Sequence, residues 1–129
     1  MTRLIALAGI ALSLAATGAE AVSTPIDKTF GNTIVSTYPD GRQAELWLQA
    51  GGAYSAMGRR GDPSSGHWKI KREKLCLSQS RPFPAPFAFC TALPGKTMDR
   101  SWLAKAVTGE AIRVKVVKGR FIGHQGQPS

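Results

Sequence analysis

Apolar and polar residues alternate with period two along most of this chain, and turn-forming residues interrupt the alternation at short intervals. "NTIVSTY" (Asn32 to Tyr38) is rich in β-branched residues and leads into "YPDGR", a Pro-Asp-Gly turn whose glycine tolerates positive φ. "AELWLQ" follows with Leu46 and Leu48 on one side and Trp47 on the other, and Gly51-Gly52 supplies a hairpin turn into the next strand. After the turn "RRGDPSSG", "HWKIK" sets Trp68 and Ile70 against His67, Lys69 and Lys71, which predicts a strand with one wet face. "LCLSQS" is its expected hairpin partner, joined through Arg72 to Lys74; with Leu75 and Leu77 inward, Cys76 points outward.

The prolines at 82, 84 and 86 in "RPFPAPF" each lack a ladder donor, so this stretch reads as an extended connection. "FAFCTA" resumes pairing, with Phe87 and Phe89 on one side and Cys90 on the other. "SWLAKAV" and "EAIRVKVV", turned at Thr108-Gly109, complete the series, and Ile112, Val114 and Val116 alternate with Arg113, Lys115 and Val117. The piece "TMDRSWLAKAV" also fits one helix, because Met98, Trp102 and Lys105 recur at helical spacing. Eight candidate strands without an amphipathic helix predict an all-β fold, a small antiparallel meander forming a closed or partly open barrel, or else a sandwich.

The first segment, "MTRLIALAGIALSLAATGAEA", orders a cation, an apolar run and small residues as a secretory signal peptide does, and Ala19-Glu20-Ala21 predicts cleavage before Val22. An uncleaved anchor is the alternative, although the run is shorter than the roughly 20 apolar residues that a spanning helix needs. The expected organisation is thus a signal peptide over 1–21, one β domain over 22–118 and a flexible glycine- and glutamine-rich tail over 119–129, in a periplasmic or secreted protein. In that oxidising setting the only two cysteines, Cys76 and Cys90, are expected to form a disulfide, closing a 15-residue loop worth about 3 kcal/mol in the chain-entropy model.

A formal net charge of +9 predicts attraction to anionic lipid, glycan or protein, and allows contact with a membrane surface. Arg59, Arg60, Lys69, Lys71, Arg72, Lys74, Arg113 and Lys115 are the anion-binding candidates; they form one patch if their strands are neighbours, and otherwise serve to keep sheet edges from aggregating. The same charge could attract nucleic acid, but the aromatics fall mostly on the apolar phase, away from positions where bases could stack. Trp47, Trp68 and Phe89 are candidates to line a ligand cavity, the competing reading being that they fill a solid core.

No G-x-S-x-G elbow, H-E-x-x-H helix or phosphate-binding glycine loop is present, and Asp40 and Asp62 are explained as turn formers, so no catalytic role is expected. Two histidines and two cysteines lack zinc-site spacing, there is no C-x-x-C, and neither metal nor cofactor is expected. The Arg60-Gly61-Asp62 tripeptide is accounted for as part of a hairpin connection.

Over "GNTIVSTYPDGRQAELWLQAGGAYSAMGRRGDPSSGHWKIKREKLCL" and the later "FC", the chain resembles small exported bacterial proteins of unassigned function, with a G-N-T opening, a D-G turn, an aromatic strand, G-x-W, L-C-L and a second cysteine. The likeness spans about Gly31 to Cys90, and it brings no catalytic residues. G-x-W strands are also similar to those of lipocalin-like meanders. Two functions follow as expectations: an exported, non-catalytic β domain that binds an anionic envelope component or a protein through a basic face, or a lipocalin-like carrier of a small apolar molecule.

Overall fold

The computed structural model describes residues 25–95, 98 and 100–123. One short 3-10 helix, Pro25–Thr29, precedes eight strands: β1 (Thr33–Thr37), β2 (Gln43–Leu48), β3 (Ala53–Met57), β4 (Pro63–Lys71), β5 (Lys74–Arg81), β6 (Phe89–Ala92), β7 (Trp102–Lys105) and β8 (Ala111–Val117). Each strand pairs antiparallel with its neighbour in sequence except β6 with β7, and β8 returns to pair with β1. The meander therefore closes into a barrel with one seam, between β6 and β7. The sandwich is excluded, and the stretch that also fitted a helix contains β7.

Four turns share one construction. In each, the first residue bonds both the fourth and the fifth, as in Gly41 N to Tyr38 O and Tyr38 N to Arg42 O, both 2.9 Å. The same pairs recur at Gln49/Gly52/Ala53, Gly58/Gly61/Asp62 and Ala106/Gly109/Glu110. The fourth position is always glycine, with φ between 84° and 100°, which is the bulge position that L-residues avoid. Gly61 of the Arg-Gly-Asp tripeptide is one of these. The turn ends at Asp62 rather than Gly66, and Pro63 starts β4, a strand position that tolerates its missing N–H.

Because the strands alternate in direction, the connections at 38–42, 58–62, 82–88 and 106–110 gather at one end of the barrel. The opposite end is filled by Ile26 of the 3-10 helix together with Phe30, Leu48, Tyr54 and Trp68. Phe30 and Trp68 meet with ring centroids 5.7 Å apart, and Trp68 Nε1 donates to Gln49 O at 2.8 Å. This end is plugged.

Cys76 and Cys90 are bonded and stand directly opposite each other on β5 and β6, with Cα atoms 4.0 Å apart. Cys76 lies on the opposite face from Leu75 and Leu77, as expected, and the bond ties the edge strand β6 to the sheet. Phe87 departs from expectation: β6 starts two residues later, leaving Phe87 outside the ladder and 84% exposed. Of the expected tail, residues 119–123 are hydrogen-bonded along the outer face of β1 and β2, whereas 124–129 and the expected signal peptide lie outside the described residues. No helix among the described residues is long and apolar enough to cross a membrane.

Candidate functional site

On β1 to β4 and on β7 the register sorts inward side chains by size. Toward the end where 38–42 and 58–62 gather, inward positions carry Ser36, Ala44, Ala56 and Ser64 on adjacent strands, with Ala104 on β7. Toward the plugged end they carry Leu48, Tyr54 and Trp68. An eight-stranded barrel is at the size where side chains either fill the interior or leave room for one small ligand. Here the small residues leave a cavity of about 430 Å³, lined mainly by aliphatic and aromatic groups including Leu46, Leu77, Phe89, Met98, Trp102 and Val114. Phe83 and Val107, 62% and 75% exposed, stand where the cavity meets solvent.

Only one of the three expected cavity aromatics lines it. Phe89 does so from β6. Trp68 faces inward but belongs to the plug. Trp47 faces out, as its alternation with Leu46 and Leu48 requires, and is nevertheless buried because residues 119–123 lie beside it. Its Nε1 donates to Thr33 Oγ1 at 2.9 Å, and the Arg120 guanidinium carbon lies 4.0 Å from its ring centroid. Thr33 Oγ1 also donates to Gly119 O and accepts from Phe121 N, at 2.7 and 2.8 Å, which uses one donor and two acceptor positions, the hydroxyl's full capacity.

The basic residues do not form one face. Lys69, Lys71, Arg72 and Lys74 are exposed on the β4–β5 hairpin near the plugged end, while Arg113 and Lys115 are exposed on β8, at least three strands away around the barrel. Arg113 Nη1 donates to Ser101 Oγ at 3.2 Å. Alternation places a residue in or out, but it does not specify which outward faces adjoin once the sheet curls.

Arg59 belongs to neither group. It lies at the cavity mouth, where its guanidinium approaches Glu110 at 3.0 Å and Asp40 at 3.6 Å and sits 4.2 Å from the Tyr38 ring centroid. Three mouth loops are thereby linked through Arg59, whose guanidinium already faces two carboxylates. Hydrogen bonds from Thr108 and then Arg59 hold the Glu110 carboxyl below the ordinary glutamate range. Burial raises the Tyr38 hydroxyl, against the opposing pull of Arg59. Arg60, on the same loop, is exposed.

No known protein-family model, curated protein or solved structure matches this chain. Among the described residues, no group of three or more His, Cys, Asp or Glu is placed to hold a metal ion.

Proposed function

We propose that this chain is an exported, non-catalytic binding protein that carries a small, mostly apolar molecule in its barrel. The observation behind this reading is the apolar cavity of about 430 Å³, within the roughly 300–1,000 Å³ typical of small-molecule sites. Tyr38, Ser36 and Ser64 lie toward its mouth, so the ligand's polar group faces that end. The Cys76–Cys90 bond agrees with a periplasmic or secreted location.

The test is titration with N-phenyl-1-naphthylamine and a series of straight-chain alcohols at low and high salt, following fluorescence and calorimetric heat. Saturable, salt-insensitive binding is expected, and Ala104→Phe, which fills the cavity from β7, should abolish it while preserving the unfolding transition. Absence of saturable binding across the series would sink the proposal. A second reading, attachment to an anionic glycan or protein, is favoured by the exposed Lys69, Lys71, Arg72 and Lys74 on one hairpin. It predicts salt-sensitive binding that Arg72→Ser with Lys74→Ser removes.

A further inference from the structure

Phe87 is 84% exposed and Phe83 62%, both on the connection between β5 and β6, and Val107 is 75% exposed on the connection between β7 and β8. Large apolar residues this exposed, at one end of a barrel, mark a surface that meets something apolar. Their exposure does not come from a loose loop. Pro82, Pro84 and Pro86 fix three backbone φ angles, Gln79 Nε2 donates to Phe83 O at 3.0 Å, and Ala85 N donates to Gln79 O at 3.1 Å. The aromatic rings are thus presented by a braced segment, which lowers the ordering cost of contact.

The same end carries exposed Arg42, Arg60, Arg81 and Lys105. The carboxylates of Asp40 and Glu110 are held by Arg59, which leaves Asp62 as the exposed acid facing those four cations among the described residues. Apolar side chains surrounded by cations have the composition of an interfacial anchor: apolar groups enter the acyl boundary while Lys and Arg meet anionic headgroups. We infer that the open end of the barrel is a docking face for an anionic bilayer surface. A bilayer fits this geometry because the apolar groups stand on two separate loops on either side of the seam, where the cavity meets solvent. A yielding apolar layer can receive all of them at once and leaves the cavity mouth facing the lipid.

This inference does not require the cavity to be occupied, and Phe87 allows the two ideas to be separated because it does not line the cavity. Protein exported with its own leader, and its Phe87→Ser, Ala104→Phe and Arg72→Ser/Lys74→Ser variants, would be sedimented with phosphatidylcholine vesicles with and without phosphatidylglycerol. Wild type should bind only the anionic vesicles. Phe87→Ser should weaken binding on the order of tenfold, as expected for withdrawing one largely inserted phenyl group, with N-phenyl-1-naphthylamine titration unchanged. Ala104→Phe should lose the fluorophore and keep the vesicles. The inference is overturned if Phe87→Ser binds vesicles as wild type does, if the hairpin variant alone removes vesicle binding, or if light scattering shows that Phe87 holds two copies together without lipid.

Discussion

Gly66, the glycine of the G-x-W sequence, offers the sharpest test of the barrel's construction. It faces inward on β4 beside a register shift between Ser65 and Gly66, where β5 crosses unusually close. A Cβ at this position would be driven into the Ser78 carbonyl oxygen and would stand 2.9 Å from Gln79 Cα. Both obstacles are backbone, so no side-chain rotation relieves them. β4 cannot easily slide away either, because Trp68 two residues on is held by Gln49 and Phe30. Gly66→Ala must therefore splay β4 from β5. Overpacking of this kind costs about 1–3 kcal/mol, and weakening the adjoining ladder bonds adds about 1 kcal/mol each. A loss of about 3–5 kcal/mol corresponds to a midpoint lower by on the order of 15–30 °C for a domain of this size. Urea and thermal unfolding followed by tryptophan emission would measure it. The control is Gly51→Ala, where an added Cβ meets nothing within 4 Å and φ is not left-handed, so stability should stay within about 0.5 kcal/mol. If Gly66→Ala fell within about 1 kcal/mol of wild type, the close approach of β5 would be refuted.

Three further perturbations address other parts of the molecule. The two-residue turn between β4 and β5 places Arg72 and Glu73 at φ of 48° and 66°, where L-residues pay about 1–2 kcal/mol each; Arg72→Asn with Glu73→Gly should raise stability by about 2 kcal/mol in urea unfolding, and no gain would mean that the turn is not left-handed. Thr33→Val leaves Trp47 Nε1, Phe121 N and Gly119 O without their shared partner and should cost about 3 kcal/mol with a red shift in tryptophan emission, whereas Thr33→Ser should retain most of the stability. For Glu110, the depressed folded pKa means that the unfolded chain binds the proton first as pH falls, so its contribution is present above the usual glutamate value of about 4.3 and is lost as pH drops through the folded pKa; pH-dependent melting should show that acid loss in wild type and a smaller one in Glu110→Gln.

The parts of this fold that were legible in sequence are those governed by near neighbours. Glycine four residues into "YPDGR", "GRRGD" and "AVTGE" marks hairpins because the left-handed position lies within the turn itself, and the alternation in "HWKIK" and "AIRVKVV" gives each strand its inward face. Contacts set by closure of the sheet were not legible. Arg59 meets Glu110 across 51 residues of chain, and Thr33 meets Gly119 and Phe121 across more than 80. The burial of Trp47 depends on a segment whose composition reads as a tail. Neither spacing nor composition shows which outward face that segment will cover.

The cavity did leave a sequence signal, carried by small residues rather than aromatic ones. A tryptophan facing inward reduces the space in a small barrel, as Trp68 does in the plug. Ser36, Ala44, Ala56, Ser64 and Ala104 occupy the same inward phase as Leu48, Tyr54 and Trp68 but lie near the open end, so one phase of the alternation tapers from large to small along the barrel axis. Polar surface strands commonly contain Ser and Ala, and their significance here depends on the register that aligns them. Once aligned, they explain why the interior is plugged at one end and hollow at the other. The hollow end is also the end whose connections expose Phe83 and Val107, so the opening carries an apolar rim.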